Sequence, residues 1–524
     1  MDSLDEILAL QQLSSLASAD ALEIIAKLVD YSGDAGSLYG LATALKWSDE
    51  LESRLTANQR ATLDYYRSNA WSHREAASHQ TDDAAWSWDQ ESAGKQVLHL
   101  RRSMRVPSEG NGVDFVRCQV RTNLGGQLDK LGRTVAAQRS YMKALQELPQ
   151  FWMARGNRGV ALLSYCSVLY DDGHQAAFAA CAHREMTTAL DHMAKHPSLG
   201  EAEPIASGLR ERISYIEQEL DVGAMLNQIE TEYSLGNDHL ERRYRTWCLN
   251  ETLFLNPLND LGALTIAARD ILGLPSFRAD LEEPPVLIGF FNQLKQEYAS
   301  ARWLLFEALD DDEAHLSDRD VGLLNTLDYP AYGLAVEKLK TAYRLAYSLL
   351  DKVAYFLNHY LGLGVPERDV SFRKIWYEGK EKKDLKVRAS LETSRNWPLR
   401  GLFWLSKDLF EKRFADVMEP EAEELAAIRN HLEHKYLKVL WLSIPEPTSE
   451  ASADMFTDTL AFSISREQLE HRTLHVMRLA REALIYLSLG MHEEERRRER
   501  LDPSKGLVMP MVLPPVEDNE KRRL

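Results

Sequence analysis

The apolar positions of this chain recur at helical spacing almost throughout, and no series of short alternating stretches with hairpin turns interrupts them. Residues 1–30 read as one amphipathic helix or two short ones, ending at "YSGDAGS". Two more helices are expected near 38–53 and 57–77, before the polar stretch "HQTDDAAWSWDQESAGK" at 79–95. Toward the other end, periodic segments at 331–361, 395–416, 420–441 and 466–490 predict four helices of bundle length, with a long polar excursion between the first two. Pro420 followed by Glu421, Glu423 and Glu424 marks the start of the third, with proline in the first turn and acids at the positive end of the helix dipole. The expected fold class is therefore all-α.

Between these ends lies a repeat. "NLGGQLDKLGRTVAAQRSYMKALQELP", 123–149, places Leu124, Gly125, Leu128, Gly132, Ala137, Tyr141, Ala144 and Pro149 at the offsets of a tetratricopeptide repeat. Small residues let two antiparallel helices approach, large ones fill the gap, and proline stops the second helix. The next stretch, "FWMARGNRGVALLSYCSVLYDDGH", keeps Gly159 and Leu162 at matching offsets. One strong repeat with degenerate neighbours predicts a short helical solenoid over roughly 30–220, a surface that presents itself to partners. "RRYRTWCLNETLFLNPLNDLG", 242–262, reads as a packed connector. The domains expected are a tetratricopeptide-like helical domain at 1–237, a helical connector at 238–328, a four-helix bundle domain at 329–500 and a tail at 501–524.

A chain of 524 residues exceeds one core, and 44% hydrophobic with 27% charged residues is the balance of an ordinary folded soluble protein. The greasiest stretches, such as "PPVLIGFF" at 284–291, are too short to span a bilayer, so no membrane partner is expected. "MDSLDEILAL" opens with acids where a secretory signal carries positive charge, which makes the cytoplasm the default location. Four cysteines without a CxxC pair fit reduced thiols. The net charge of −18 excludes a protein that coats nucleic acid through its average field, but not a small basic site. One basic stretch, "RKIWYEGKEKKDLKVR" at 373–388, is read as a solvated loop of mixed charge.

Several chemistries drop out. There is no phosphate-binding loop, dinucleotide turn or nucleophile elbow. His192 with His196, and His431 with His434, have the spacing of metal pairs but lack a third ligand. "LDDDEAHLSDRD" at 309–320 lacks the glycine and terminal glutamate of a calcium loop, and Asp171, Asp172 and His174 suit a turn or cap. No metal and no cofactor is expected.

"RNHLEHKY", 429–436, remains. Its Arg-x4-His spacing occurs three times, at Arg74–His79, Arg429–His434 and Arg466–His471, where 15 histidines in 524 residues give about one match by accident. Glu75 and Glu467 follow the first and last of these arginines and partly neutralise the cation that a phosphate needs; Arg429 is followed by the neutral Asn430. At 100° per residue, Leu425, Ile428, Leu432, Tyr436 and Val439 form an apolar stripe. Arg429 falls about 40° from its centre, Glu433 about 80°, Asn430 about 140° and His434 about 180°. A catalytic His434 on the outer face needs a cover, and a second copy of the bundle related by a two-fold axis would bring two Arg, two Asn and two His into one cleft. That inventory suits RNA cleavage. A neutral imidazole can take the proton of a ribose 2′-hydroxyl, a second can protonate the leaving oxygen, and a guanidinium fork matches the phosphate.

On this helix of a C-terminal four-helix bundle, "RNHLEHKY" resembles the HEPN superfamily, whose Arg-x4-6-His motif marks metal-independent ribonucleases. "LLDKVAYFLNHYLGL", "FRKIWYE", "NWPLRGLFWLSKDL" and "IRNHLEHKYLKV" are similar to a HEPN branch with tetratricopeptide-like repeats upstream, and "RTNLGGQLDKLGR", "GNRG" and "RTWCLNETLFLNPLNDL" extend the likeness over about 30–495. The resemblance implies a homodimeric endoribonuclease that leaves a 2′,3′-cyclic phosphate. The catalytic residues would be Arg429, Asn430 and His434, and Glu433, Lys435, Tyr436 and Lys352 would support them or touch RNA. It also implies a toxin or anti-phage effector, regulated by a protein partner or trigger at the repeats. The His434-x-Tyr436 continuation is similar to toxins silenced by nucleotide transfer to the tyrosine, although the helical projection places Tyr436 by the apolar stripe and favours packing. The alternative is a non-catalytic adaptor whose repeats hold a partner while the bundle dimerises.

Overall fold

The computed structural model describes residues 3–10, 13, 15–78, 86–105, 115–195, 203–278, 284–310, 314–326, 328–379, 386–410, 421–441, 460–501, 511–518 and 520–522. His79, His196, Pro420 and the acids at 311–313 lie outside them. Among the described residues the fold is all-α apart from two small two-stranded sheets.

The first half is a succession of helices: α1 Leu4–Leu8, α2 Ser18–Asp34, α3 Leu38–Leu51, α4 Ala57–Ser78, α5 Glu91–Ser103, α6 Phe115–Lys130, α7 Thr134–Glu147, α8 Trp152–Cys166, α9 Asp172–Ala194, α10 Glu203–Glu219, α11 Val222–Glu230 and α12 His239–Asn250. From α1 to α10 each helix packs on the next, so each covers a face that its neighbour leaves open. The α6–α7 hairpin shows why its glycines are needed. A Cβ on Gly125 would meet the Tyr141 ring at 2.7 Å, and Gly132, in the turn, has φ +82. Asp171 caps α9, its side chain accepting from the His174 N–H at 2.8 Å.

The second half contains α13 Val286–Asp310, α14 Leu334–Tyr360, α15 Ala389–Glu392, α16 Trp397–Phe410, α17 Ala422–His434 and α18 Arg466–Leu501. Helices α13, α14, α16 and α18 make the bundle, and α17 lies against α14 and α16. The far end of α18 is carried by a ladder of ion pairs, Arg496–Glu493 at 2.8 Å, Arg497–Glu494 at 2.7 Å and Arg498–Glu495 at 2.9 Å. Strand β1 (Tyr377–Glu378) pairs antiparallel with β2 (Lys386–Val387), inside the basic stretch.

The single helix expected over 420–441 is corrected. Helix α17 stops at His434 because Lys435 is extended, at φ −141 and ψ −153. The chain then forms β3 (Tyr436–Leu440), parallel to β4 (Ala461–Ser465), with Tyr436 opposite Ala461. On its other side the Ala331 N–H donates to the Val439 carbonyl at 2.7 Å. The apolar positions 432, 436 and 439 imitate a helical stripe, yet "YLKVL" satisfies its backbone sideways and buries Leu437, Val439 and Leu440. Tyr436 consequently does not pack in a core; it is 43% exposed.

Two features fuse the halves. Residues 251–278 are irregular but largely buried, and two arginines of the bundle satisfy their backbone. Arg481 of α18 donates to Phe254 O at 2.6 Å, Asn256 O at 3.0 Å and Asp260 Oδ1 at 2.6 Å. Arg302 of α13 grips Asp270 at 2.9 and 2.6 Å and Leu253 O at 2.9 Å. Elsewhere Arg101 of α5 makes a bidentate pair with Asp408 of α16, at 2.7 and 2.8 Å, and Arg133 joins both Asp408 and Glu482.

At the same junction the Gly132 turn sits on the first turns of α16, and a Cβ on Gly401 would lie 2.8 Å from the Gly132 carbonyl carbon. Gly401→Ala must push the two backbones apart. It is expected to cost about 1–3 kcal/mol, the usual penalty of overpacking, seen as a lower Tm; an unchanged Tm would contradict this close approach.

Candidate active site

Helix α17 is held in place from two sides. The Tyr343 hydroxyl of α14 donates to Leu425 O at 2.6 Å, and Arg472 of α18 pairs with Glu424 at 2.6 Å and with Glu421. Leu425 and Ile428 are fully buried against the bundle. That anchoring turns Arg429 toward a groove of about 540 Å³ bounded by α14, the 371–373 loop, the end of α16 and α17 itself.

The groove sets two guanidiniums, Arg429 and Arg373, beside two carboxylates, Asp351 of α14 and Glu423, with Tyr347, Ser371 and Asn430 as neutral polar neighbours. Arg429 is half-buried, and its Nη1 donates to Asn430 Oδ1 at 3.3 Å, so the asparagine steers the fork. Tyr347 is 7% exposed, and burial first, then the Asp351 charge, push its phenol up to about 12 against the opposing pull of Arg429. It therefore stays protonated and can donate. Asp351 accepts from the Phe372 N–H at 2.9 Å and Ser406 donates to Phe372 O at 2.9 Å, which pins the loop that presents Ser371 and Arg373.

His434, the last residue of α17, is exposed, as are Glu433, Lys435 and Asn430. Five residues along an α-helix are about 140° of rotation and about 7.5 Å of rise, so Arg429 and His434 of one chain do not converge on one point. The neighbouring His431 is occupied differently: its Nδ1 lies 2.8 Å from Ala427 O and its ring lies tilted against Phe462, with centroids 5.3 Å apart. No group of three or more metal-binding side chains occurs among the described residues.

The structure thus brings Arg429 and Asn430 together and leaves His434, Glu433 and Lys435 on the open flank. Tyr436 stands just beyond, in β3, with Lys438 Nζ 5.7 Å from its ring centre. Lys352 is not part of this groove; it faces α13 and pairs with Glu297 at 2.5 Å. Sequence reasoning missed Tyr347, Asp351, Ser371 and Arg373. Tyr347 and Asp351 stand four apart on one face of α14, but that helix carries many other polar residues, so the pair gave no distinct signal. Arg373 belonged to the basic stretch that was read as solvated loop.

Of the other two Arg-x4-His matches, Arg466 is engaged by Glu470 at 2.8 Å and by Ala308 O at 2.9 Å, and His79 lies outside the described residues. No helix of the described residues is long and apolar enough to cross a membrane.

A family model described as LA2681-like HEPN matches residues 278–494. The match takes in α13, which the boundary drawn from sequence at 329 left in the connector. No curated protein and no solved structure matches the chain significantly. Residues 278–494, with "RNHLEHKY" on α17, are therefore an LA2681-like HEPN domain.

Proposed function

We propose that the protein is a metal-independent endoribonuclease that acts as a dimer of its HEPN domains, in the role of a toxin or anti-phage effector regulated through the repeats. The observation that carries this reading is the divided motif: Arg429 lines a groove of nucleotide size, while His434 is exposed on the flank and does not line that groove. A second α17 packed against the first would supply the missing partner, consistent with superfamily members that dimerise and act on RNA.

In that cleft one neutral His434 removes the 2′-hydroxyl proton. The 2′-oxygen attacks phosphorus, the bond to the 5′-oxygen breaks, and the second copy's His434 protonates the leaving oxygen. Arg429, aimed by Asn430, stabilises the charge that builds on the phosphoryl oxygens. Lys435, Tyr436 and Glu433 border the path of the RNA.

The test is purified protein with mixed RNAs in EDTA, compared with Arg429→Ala and His434→Ala. The wild type is expected to cut and both variants to fail. A wild type that does not cut, or variants that cut as well as it does, would sink the reading.

A further inference from the structure

The groove beside Arg429 holds more chemistry than a phosphate needs. Its two guanidiniums, Arg429 and Arg373, are matched by two carboxylates, Asp351 and Glu423, and none of the four forms an ion pair among the described residues. With no excess of either sign, the groove suits a neutral group carrying both donors and acceptors better than a run of phosphates. Leu409 and Phe410 of α16 and Ala426 of α17 add an apolar wall to its volume of about 540 Å³. A flat base with polar edges fits such a space.

Two of the polar groups stand side by side on α14, since Tyr347 and Asp351 are one turn apart. The Tyr347 ring is buried and stacked on that of Tyr343, with centroids 6.2 Å apart and planes at 17°. Its hydroxyl nevertheless has no hydrogen-bond partner among the described residues and is not sealed in by packing, so it opens on the groove that Tyr347 lines. A hydroxyl left in this way contributes nothing to the fold, whereas an acceptor on a ligand would satisfy it. Asp351 is held by its other neighbour. Oδ1 accepts from the Phe372 N–H at 2.9 Å, and Oδ2 has no partner among the described residues.

A phenol that donates beside a carboxylate that accepts calls for a complementary edge. Guanine offers O6 next to N1–H and the exocyclic amine, so the hydroxyl meets an acceptor and the carboxylate meets two donors. Uracil offers the carboxylate one donor, and adenine and cytosine turn a ring-nitrogen acceptor toward it. Arg373, exposed on the loop that Phe372 pins, brings the guanidinium fork that suits the O6 and N7 acceptors of guanine. We propose that this groove is a guanine-specific base site for the substrate RNA, in which Asp351 accepts from N1–H and the amine while the Tyr347 hydroxyl donates to O6. This assignment rests on the ribonuclease reading and adds the base to it, with the nucleotide's phosphate directed toward Arg429.

The test uses the full chain and needs no RNA cleavage. The 3′- and 5′-monophosphates of guanosine, adenosine, cytidine and uridine are titrated calorimetrically, beside inorganic phosphate at equal ionic strength. A guanosine monophosphate is expected to bind at least about tenfold more tightly than every other probe. Asp351→Asn keeps an acceptor for the Phe372 N–H but gives up the second one, and should abolish that preference. Tyr347→Phe should weaken guanosine monophosphate binding about tenfold while Tm stays level or rises, because the hydroxyl bonds nothing in the protein. Equal binding of the four nucleotides, binding no tighter than that of phosphate, or a preference that survives both variants overturns the base site. RNA cleavage by a protein without guanine selectivity overturns the base site alone, and guanine selectivity in a protein that cuts no RNA sinks the ribonuclease reading alone.

Discussion

Arg481→Met is expected to leave the protein largely insoluble, or to melt it far below the wild type. Arg481 is fully buried. Its guanidinium serves two carbonyls of the irregular connector, Phe254 O and Asn256 O, and the Asp260 carboxylate, which also accepts from the Tyr165 hydroxyl of α8 at 3.1 Å. Methionine fills part of the volume but strands these groups. Removing one partner of a buried ion pair costs about 3–5 kcal/mol, and each buried acceptor left unpaired adds about 1–3 kcal/mol. The sum rivals the whole stability of an ordinary domain, about 5–15 kcal/mol. Adding Asp260→Asn should return part of the loss, because it removes the stranded charge. A soluble Arg481→Met protein with a Tm within a few degrees of wild type would show that the connector is not held in this way.

The second large effect falls on activity and spares stability. His434→Ala should lower RNA cleavage about 10²–10⁴-fold, the usual contribution of general acid–base catalysis, and Arg429→Ala about 10²–10³-fold, the contribution of a group that stabilises developing charge. Asn430→Ala should cost less, since its part is to steer Arg429 across 3.3 Å. His434 and Asn430 are exposed and Arg429 half-buried, so all three variants should melt close to the wild type. Expression in a bacterial host offers a parallel readout: growth arrest relieved by His434→Ala but not by His471→Ala. Equal relief by both would detach the effect from α17.

Much of the architecture could be read from periodicity, because a helix announces itself every three to four residues. Gly125 under Tyr141 and Gly132 in its turn are cases where a pattern of small residues translated directly into a close approach. The reading failed where two periods coincide. Tyr436 and Val439 continue the spacing of Leu432, and only the sideways pairing with β4 decides that they belong to a strand. It also failed where backbone is satisfied by distant side chains. Nothing within "LFLNPLND" says that Arg481, over two hundred residues away, will hold it. At the candidate site, the motif on α17 was visible as a local string, whereas Tyr347, Asp351 and Arg373 reach the groove from three-dimensional packing.

The central claim concerns chemistry, and the ends of the cut RNA report it most directly. A synthetic RNA is incubated with the protein in EDTA, and the product termini are identified by mass and by their response to phosphatase and kinase. The account predicts 2′,3′-cyclic phosphate and 5′-hydroxyl ends, absent with His434→Ala. Products with 3′-hydroxyl and 5′-phosphate ends, or cleavage that appears only when Mg²⁺ is added, would contradict it.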